Sequence, residues 1–351
     1  MKKLLLSLLV MSALVLSIVP GVLAISYGSG MGVTITTEDF KPLVWQCDHR
    51  VVYDDGTEPG RISENGQELV ERINDYAFEG EQIQMKVLVM DKNGIDKVSD
   101  VYVSLDGKKE ANCQRLTWDP RKTLDSCNAR ILEEEIDEFD SDLMAYYVCT
   151  LTVETPESMY GEYDITVEAE DLDEQVGMMD EVEHWFLNPY IELDVDGSLI
   201  FDDVRPGTSS YSQRVLVGND ADDGSGVTLD MFISGTDFYD SSSSGAKCGE
   251  SNVLELENFK YYATNGAYST HDDGRSDDEG YVGIAYGTGF NDPNPFYGTN
   301  EIIQAHMVGP YYVANLLAPG AEMSLVFRLD LPEPCNGDFD SGQIYFWGEA
   351  V

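Results

Sequence analysis

The sequence predicts an all-β chain of two tandem β-sandwich domains, and three observations lead there. Short runs alternate apolar and polar residues with period two, turn-forming Asn, Asp, Gly and Pro separate them, and Asn188-Pro189 divides two such sets. Hydrophobic residues make up 42% of the chain, enough for packed cores, so disorder is set aside despite the charge. The expected boundaries are a signal peptide over 1–24, a first sandwich over 25–188 and a second over 189–351.

The chain opens MKKLLLSLLVMSALVLSIVPGVLA, with two lysines, an apolar run, a Pro20-Gly21 breaker and a small-x-small end at Val22-Leu23-Ala24. These features predict a Sec-type signal peptide cleaved after Ala24, in preference to a retained membrane anchor. No later stretch approaches spanning length, so no membrane span is expected after cleavage. The cysteines, 47, 113, 127, 149, 248 and 335, all lie beyond the signal. An even number in an exported chain predicts disulfides, and the absence of any C-x-x-C spacing argues against metal ligation. The boundary near Pro189 pairs Cys248 with Cys335 and leaves Cys47, Cys113, Cys127 and Cys149 to pair among themselves in an open order.

In the first unit, QIQMKVLVMDKNGIDKVSDVYVSLDG reads as strand, turn and strand, with the turn at Asp91-Lys92-Asn93-Gly94. AYYVCTLTVETP and YGEYDITVEAED form a second such set. This spacing of short strands fits an immunoglobulin-like sandwich. Between the sets, 116–143 carries the acidic ILEEEIDEFDSDL, where Ile131, Leu132, Ile136 and Phe139 could share one face of a short helix. That insertion reads either as a cation site or as a solvated element pinned by Cys113 and Cys127.

The second unit is again rich in strands: YIELDVDGSLIFDDV, SQRVLVGND, GVTLDMFISGTDF, AEMSLVFRLDL and GQIYFWGEAV. It contains an echo, because Pro206-Gly207 and Pro319-Gly320 each precede an alternating run, and Pro-Gly presets a tight turn. Between the two copies, 240–309 is too long for a hairpin connection and is rich in tyrosine, which makes it the first place to look for contacts.

The segments IELDVDGSLIFDDVRPGTSSYSQRVLVGND and LLAPGAEMSLVFRLDLPEPCNGDFDSGQIYFWGEAV resemble the TasA and camelysin family of secreted β-sandwich proteins, which build extracellular fibres and biofilm matrix. The resemblance implies a TasA-like or jelly-roll-like second sandwich and a structural role outside the cell. Two features depart from that family: a whole preceding domain, and the cysteines. In the family a mature N-terminal segment can complete the next subunit's sheet. Here ISYGSGMGVTITTEDF, with Val33 and Ile35 alternating, suits that role or that of the first strand of its own domain.

A formal net charge of −44 makes nucleic acid and anionic lipid poor partners. Camelysin is named as a metallopeptidase, but a zincin needs two histidines one helical turn apart with a glutamate between them. His49, His184, His271 and His306 are isolated. No G-x-S-x-G elbow occurs, and among so many carboxylates a glycosidase pair can be neither located nor excluded. The expectation is therefore a protein that is not an enzyme.

Calcium is the cofactor the residue types favour, through hard oxygen ligands in turns: Asp194 and Asp196, Asp220, Asp222 and Asp223, and Asp272, Asp273, Asp277 and Asp278. The alternative for each is an ordinary Asp-Gly turn. Tyr261, Tyr262, Tyr281, Tyr286 and Tyr297 are the candidate partner contacts, as sugar-stacking rings or as interface and core residues. The functional expectation is an extracellular structural protein of a surface layer, filament or matrix that self-associates. The alternative is a recognition or adhesion module binding polysaccharide or a cell-surface protein.

Overall fold

The computed structural model describes residues 34–53, 74–117, 127, 139–179, 182–242, 244–287, 301–309 and 311–351, with the side chains of 48–51 and 53 left aside. The signal peptide, Val33, Ile131, Leu132, Ile136, the His49 side chain and Tyr297 lie outside the described residues. The chain is all-β, and the described residues show no helix beyond short 3-10 turns.

Ten strands build the first sandwich: β1 (Leu43–Tyr53), β2 (Tyr76–Ala77), β3 (Gln82–Met90), β4 (Val98–Leu105), β5 (Lys108–Asn112), β6 (Gln114–Arg115), β7 (Met144–Thr152), β8 (Gly161–Asp171), β9 (Val176–Met178) and β10 (Glu183–Leu187). One sheet runs β1-β3-β7-β6 and the other β2-β10-β8-β4-β5, with β9 on β8. Each strand-turn-strand set expected from the sequence straddles the sandwich. β3 pairs with β7 and β4 with β8, both antiparallel, so consecutive strands sit in opposite sheets. The link from β3 to β4 includes a 3-10 turn whose Ile95 is buried.

Period-two alternation turns Ile83, Met85, Val87 and Cys149 from one sheet toward Val103, Ile165, Val167 and Trp185 from the other. Alternation fails at the end of β3, where Leu88 and Met90 also become buried. A second apolar layer explains this, because Trp45, Cys47, Cys127 and Tyr146 cover the back of that sheet. The disulfide Cys47–Cys127 lies in this back layer. Cys113 follows β5 and precedes β6, where the chain changes sheet, and its bond to Cys149 on β7 ties the two sheets together. Residues 34–39 form no strand, and Ile35 is 82% exposed. Among the described residues the first strand is β1, and 34–39 belong to none.

The second sandwich continues with β11 (Leu193–Asp196), β12 (Ser209–Asn219), β13 (Leu229–Gly235), β14 (Phe238–Tyr239), β15 (Lys247–Cys248), β16 (Val253–Leu254), β17 (Phe259–Asn265) and β18 (Tyr268–Ser269). After these come β19 (Val282–Gly283), β20 (Ala285–Tyr286), β21 (Met307–Val308), β22 (Tyr311–Tyr312), β23 (Leu316–Leu317), β24 (Glu322–Asp330), β25 (Cys335–Asn336) and β26 (Ile344–Ala350). The larger sheet runs β11-β12-β24-β17-β18 with β19 on β17, and the facing sheet centres on β13, paired along its length with β26. The disulfide Cys248–Cys335 joins β15 to β25.

The Pro-Gly echo has a structural meaning. Gly207 and Gly320 take φ of 76° and 73°, the left-handed turn position that glycine fills without strain. The strands they introduce, β12 and β24, are direct antiparallel neighbours from Ser209↔Asp330 to Gly218↔Glu322.

The two sandwiches meet at a built seam. β10 is followed directly by Asn188, whose φ is 52° and whose side-chain amide donates to the carbonyls of Glu154 at 2.8 Å and Met159 at 2.5 Å. Tyr76 packs into the core cluster of the second sandwich. Asp222 accepts from the Tyr160 hydroxyl at 2.9 Å and the Tyr190 amide at 2.8 Å. Residues Phe40–Val351 cluster as one compact unit.

Candidate ligand-recognition surface

β17 decides which of the tyrosines can face a partner. Its alternation sends Phe259, Tyr261 and Ala263 into the core and Lys260 and Tyr262 outward. Tyr261 is fully buried, and its hydroxyl donates to the Ile302 carbonyl at 2.9 Å. This corrects its assignment as a contact residue: it is a core tyrosine with a satisfied hydroxyl. Tyr286, 63% exposed, lies on the other sheet through β20.

Tyr262 belongs to a cluster. On the outer face of the larger sheet, Tyr211 of β12 and Lys260 of β17 stand beside Arg328 of β24 in register. The turn after Asp273 folds over this face and sets Tyr281 between Tyr211 and Tyr262, with ring centroids 5.9 and 5.7 Å away and tilts of 52° and 54°. Gly280 permits the approach, since at φ 86° a Cβ there would stand 2.8 Å from the Tyr262 ring. Tyr211 is 53% exposed and forms the open edge of the group.

Arg328 anchors this surface from below. Its guanidinium donates to Asp277 at 2.7 Å and Glu279 at 2.8 Å, and it stacks 4.5 Å from the centre of the Tyr281 ring. A planar donor fork over an aromatic face fixes both the acidic turn and the ring. Burial works to raise the Asp277 pKa, but the Tyr281 amide, Arg328 and Lys260 outweigh it and hold the carboxyl at about 2.

These contacts also correct part of the calcium assignment. The Asp273 carboxylate is fully buried and receives the Arg275 guanidinium at 2.5 Å and the Gln304 amide at 2.9 Å. Burial would raise its pKa, yet the Arg275 hydrogen bonds carry it below the usual range. Asp277 serves Arg328 and Lys260, and Asp222 ties the seam. Both oxygens of Asp273 and of Asp277 are committed to protein donors, which makes these two structural acceptors, while Asp222 is engaged through Oδ2. Asp194, Asp196, Asp220, Asp223, Asp272 and Asp278 are exposed, the first two on edge strand β11. Among the described residues no three His, Cys, Asp or Glu side chains lie close enough together to hold a metal ion.

Tyr211 and Arg328 were not anticipated as site residues. Alternation through SSYSQRVLV puts Tyr211 in phase with the buried Val215 and Val217, and only the bulge between Tyr211 and Arg214 reverses that phase and turns it outward, which no local pattern signals. For Arg328 the sequence shows only Asp330 two residues on, since Glu279 and Asp277 lie 49 and 51 residues away.

No protein-family model matches the chain, and no curated protein does. The TasA-like resemblance of residues 189–351 therefore finds no family match. Among solved structures, the C-terminal domain of the AgI/II polypeptide BspA from Streptococcus agalactiae aligns at 10% identity over 88% of this chain and 96% of that one, with a TM-score of 0.29. The collagen adhesin CNA from S. aureus aligns at 10% identity over 87% of each chain, with a TM-score of 0.13. An E. coli alpha-2-macroglobulin aligns at 11% identity over 78% of this chain and 16% of its own, with a TM-score of 0.19.

Proposed function

We propose that this protein is a non-catalytic recognition module of the cell exterior that engages polysaccharide through the Tyr211, Tyr262 and Tyr281 surface. The observation that carries this reading is the clamping of Tyr281 by Arg328 beside an exposed Tyr211. Ring faces held rigid beside fixed carboxylates suit sugars, whose C–H faces stack on aromatics while their hydroxyls need oriented acceptors. Preorganisation lowers the ordering cost of binding. The three disulfides support work in an oxidising compartment.

This surface favours recognition over the self-associating building block. A glycan array with the purified mature protein and its Tyr211→Ala variant tests the reading, alongside light scattering for oligomeric state. Wild-type binding that the variant loses, by a monodisperse protein, is the expected result. An array without hits, together with ordered polymers of the protein, overturns it in favour of self-association. A blank array with a monodisperse protein redirects the surface to a protein partner.

A further inference from the structure

A cleft of about 440 Å³ opens at the seam between the two sandwiches, within the range of roughly 300–1,000 Å³ in which small ligands and side chains are held. Its wall comes from the outward rows of β8 and β10, where Asp164 faces His184 and Glu162 faces Phe186 in register. Asp106 in the turn after β4 joins it, its carboxylate accepting from the Asp164 amide at 2.9 Å. The second sandwich supplies Gly224, where a Cβ would stand 3.1 Å from a Glu162 carboxylate oxygen. Half-buried Tyr163 and buried Phe186 give the cleft its aromatic surface.

The charge of the lining is one-sided. Asp106, Glu162 and Asp164 line the space together with Asp75, and among the described lining residues the one side chain able to carry positive charge, His184, already sits 2.6 Å from Asp164. A partner for this cleft must be cationic. A bare metal ion does not fit, because these carboxylates ring the cleft from separate elements and no metal-holding group of three occurs among the described residues. An organic cation does fit, since carboxylates spaced around an aromatic wall can share the several N–H donors of one planar or tetrahedral group while its alkyl stem lies on the rings.

We infer that this cleft receives a basic side chain, arginine or lysine, from a partner polypeptide. The site is separate from the tyrosine surface and does not rest on it. Both sandwiches contribute to its lining, so it depends on the seam as folded.

The test uses the intact mature protein and three capped tripeptides, glycine-X-glycine, in which X is arginine, lysine or the neutral isostere citrulline. Titrations are followed by calorimetry and by NMR signals of Gly224 and His184. The expected result is saturable binding of the arginine and lysine peptides, with citrulline weaker by at least about tenfold, in line with loss of the ionic component. The pair Glu162→Gln and Asp164→Asn should weaken the cationic peptides by a similar factor and leave the melting temperature in place, since both positions are exposed. Glu162→Gln by itself serves if the pair perturbs the fold. Equal binding of citrulline, indifference to the substitutions, or shifts reproduced by calcium chloride and not by the peptides would each overturn the proposal, as would a titration without saturation.

Discussion

Tyr76 and Val351 stand 275 positions apart in the chain, yet the tyrosine hydroxyl donates to the valine carbonyl at 2.6 Å inside the protein. Tyr76 begins strand β2 of the first sandwich and is fully buried against the core of the second, with Val351 only 1% exposed. Beside it, the Asn74 amide donates to the Gly226 carbonyl at 2.6 Å. Removing the hydroxyl as Tyr76→Phe leaves a buried carbonyl without its donor, at a cost of about 1–3 kcal/mol. The expected outcome is a lower melting temperature with one transition retained. Calorimetry that resolves two independent transitions in the wild type would show that the seam does not couple the sandwiches.

Asp230 predicts a pH dependence opposite to that of an ordinary paired carboxylate. Burial pushes its pKa up, the Asn315 amide pulls back, Glu301 and Glu349 add to the rise, and the result is about 7 against an ordinary 3.8. In the unfolded chain it ionises near the ordinary value. Its stabilising contribution is therefore complete below about 3.8 and is lost as pH rises toward 7. Asp277, held near 2, acts the other way, with stability present above its ordinary range and lost only at lower pH, so the two windows do not overlap. Asp230→Asn keeps an acceptor for Asn315, which donates at 2.6 Å. The variant should exceed the wild type by an amount on the order of 3 kcal/mol at pH 8 and match it near pH 4. Denaturant melts at the two pH values check this, and an equal gap at both would remove Asp230 as the titrating group.

Sequence patterning carried the strands, and tertiary context decided their partners. QIQMKVLVM and MAYYVCTLT could be read as strands from alternation, but that β3 pairs with β7 and not with β4 depends on contacts dozens of residues apart, which a local pattern does not encode. For the candidate site, composition marked the tyrosines without separating Tyr261 from Tyr262, because the phase of alternation within β17 sets which neighbour enters the core. The acidic turns misled in the same way. Asp273 and Asp277 read as cation ligands until Arg275 and Arg328 arrived beside them.

Arg328 should matter more than its position on the outer face of a sheet suggests. Its side chain is 8% exposed and pairs with Asp277, Glu279 and Asp330, whose own exposures of 29%, 66% and 37% dilute the electrostatic gain. Arg328→Met keeps most of the buried stem, leaves Glu279, Asp330 and the Tyr281 ring without their cation and leaves Asp277 with Lys260 alone, so a loss of about 1–3 kcal/mol is expected. Hydrogen exchange should rise at the Glu279 and Tyr281 amides, which now donate to Asp277 at 3.1 and 3.0 Å. Arg328→Lys restores charge without the planar fork and should recover only part of the protection. Unchanged exchange in the methionine variant would mean that the turn holds itself.

The disulfides offer a case in which loop length and the tie between sheets point in opposite directions, since Cys248 and Cys335 are buried in their own core as Cys149 is. Cys248–Cys335 spans a sequence separation of 87 and Cys113–Cys149 one of 36. By chain entropy the longer loop is favoured, though only by about 0.8 kcal/mol, because closure scales with the logarithm of length. Cys149 is fully buried between the sheets of the first sandwich, and the sulfur it shares with Cys113 fills core space. Replacing either pair by alanines opens a cavity in a core, but replacing Cys113 and Cys149 also cuts the tie between the two sheets. The prediction is that Cys113→Ala with Cys149→Ala destabilises more than Cys248→Ala with Cys335→Ala, despite the shorter loop. Urea melts of the two double variants decide it, and a larger loss for the Cys248 pair would show that chain entropy outweighs the tie between sheets.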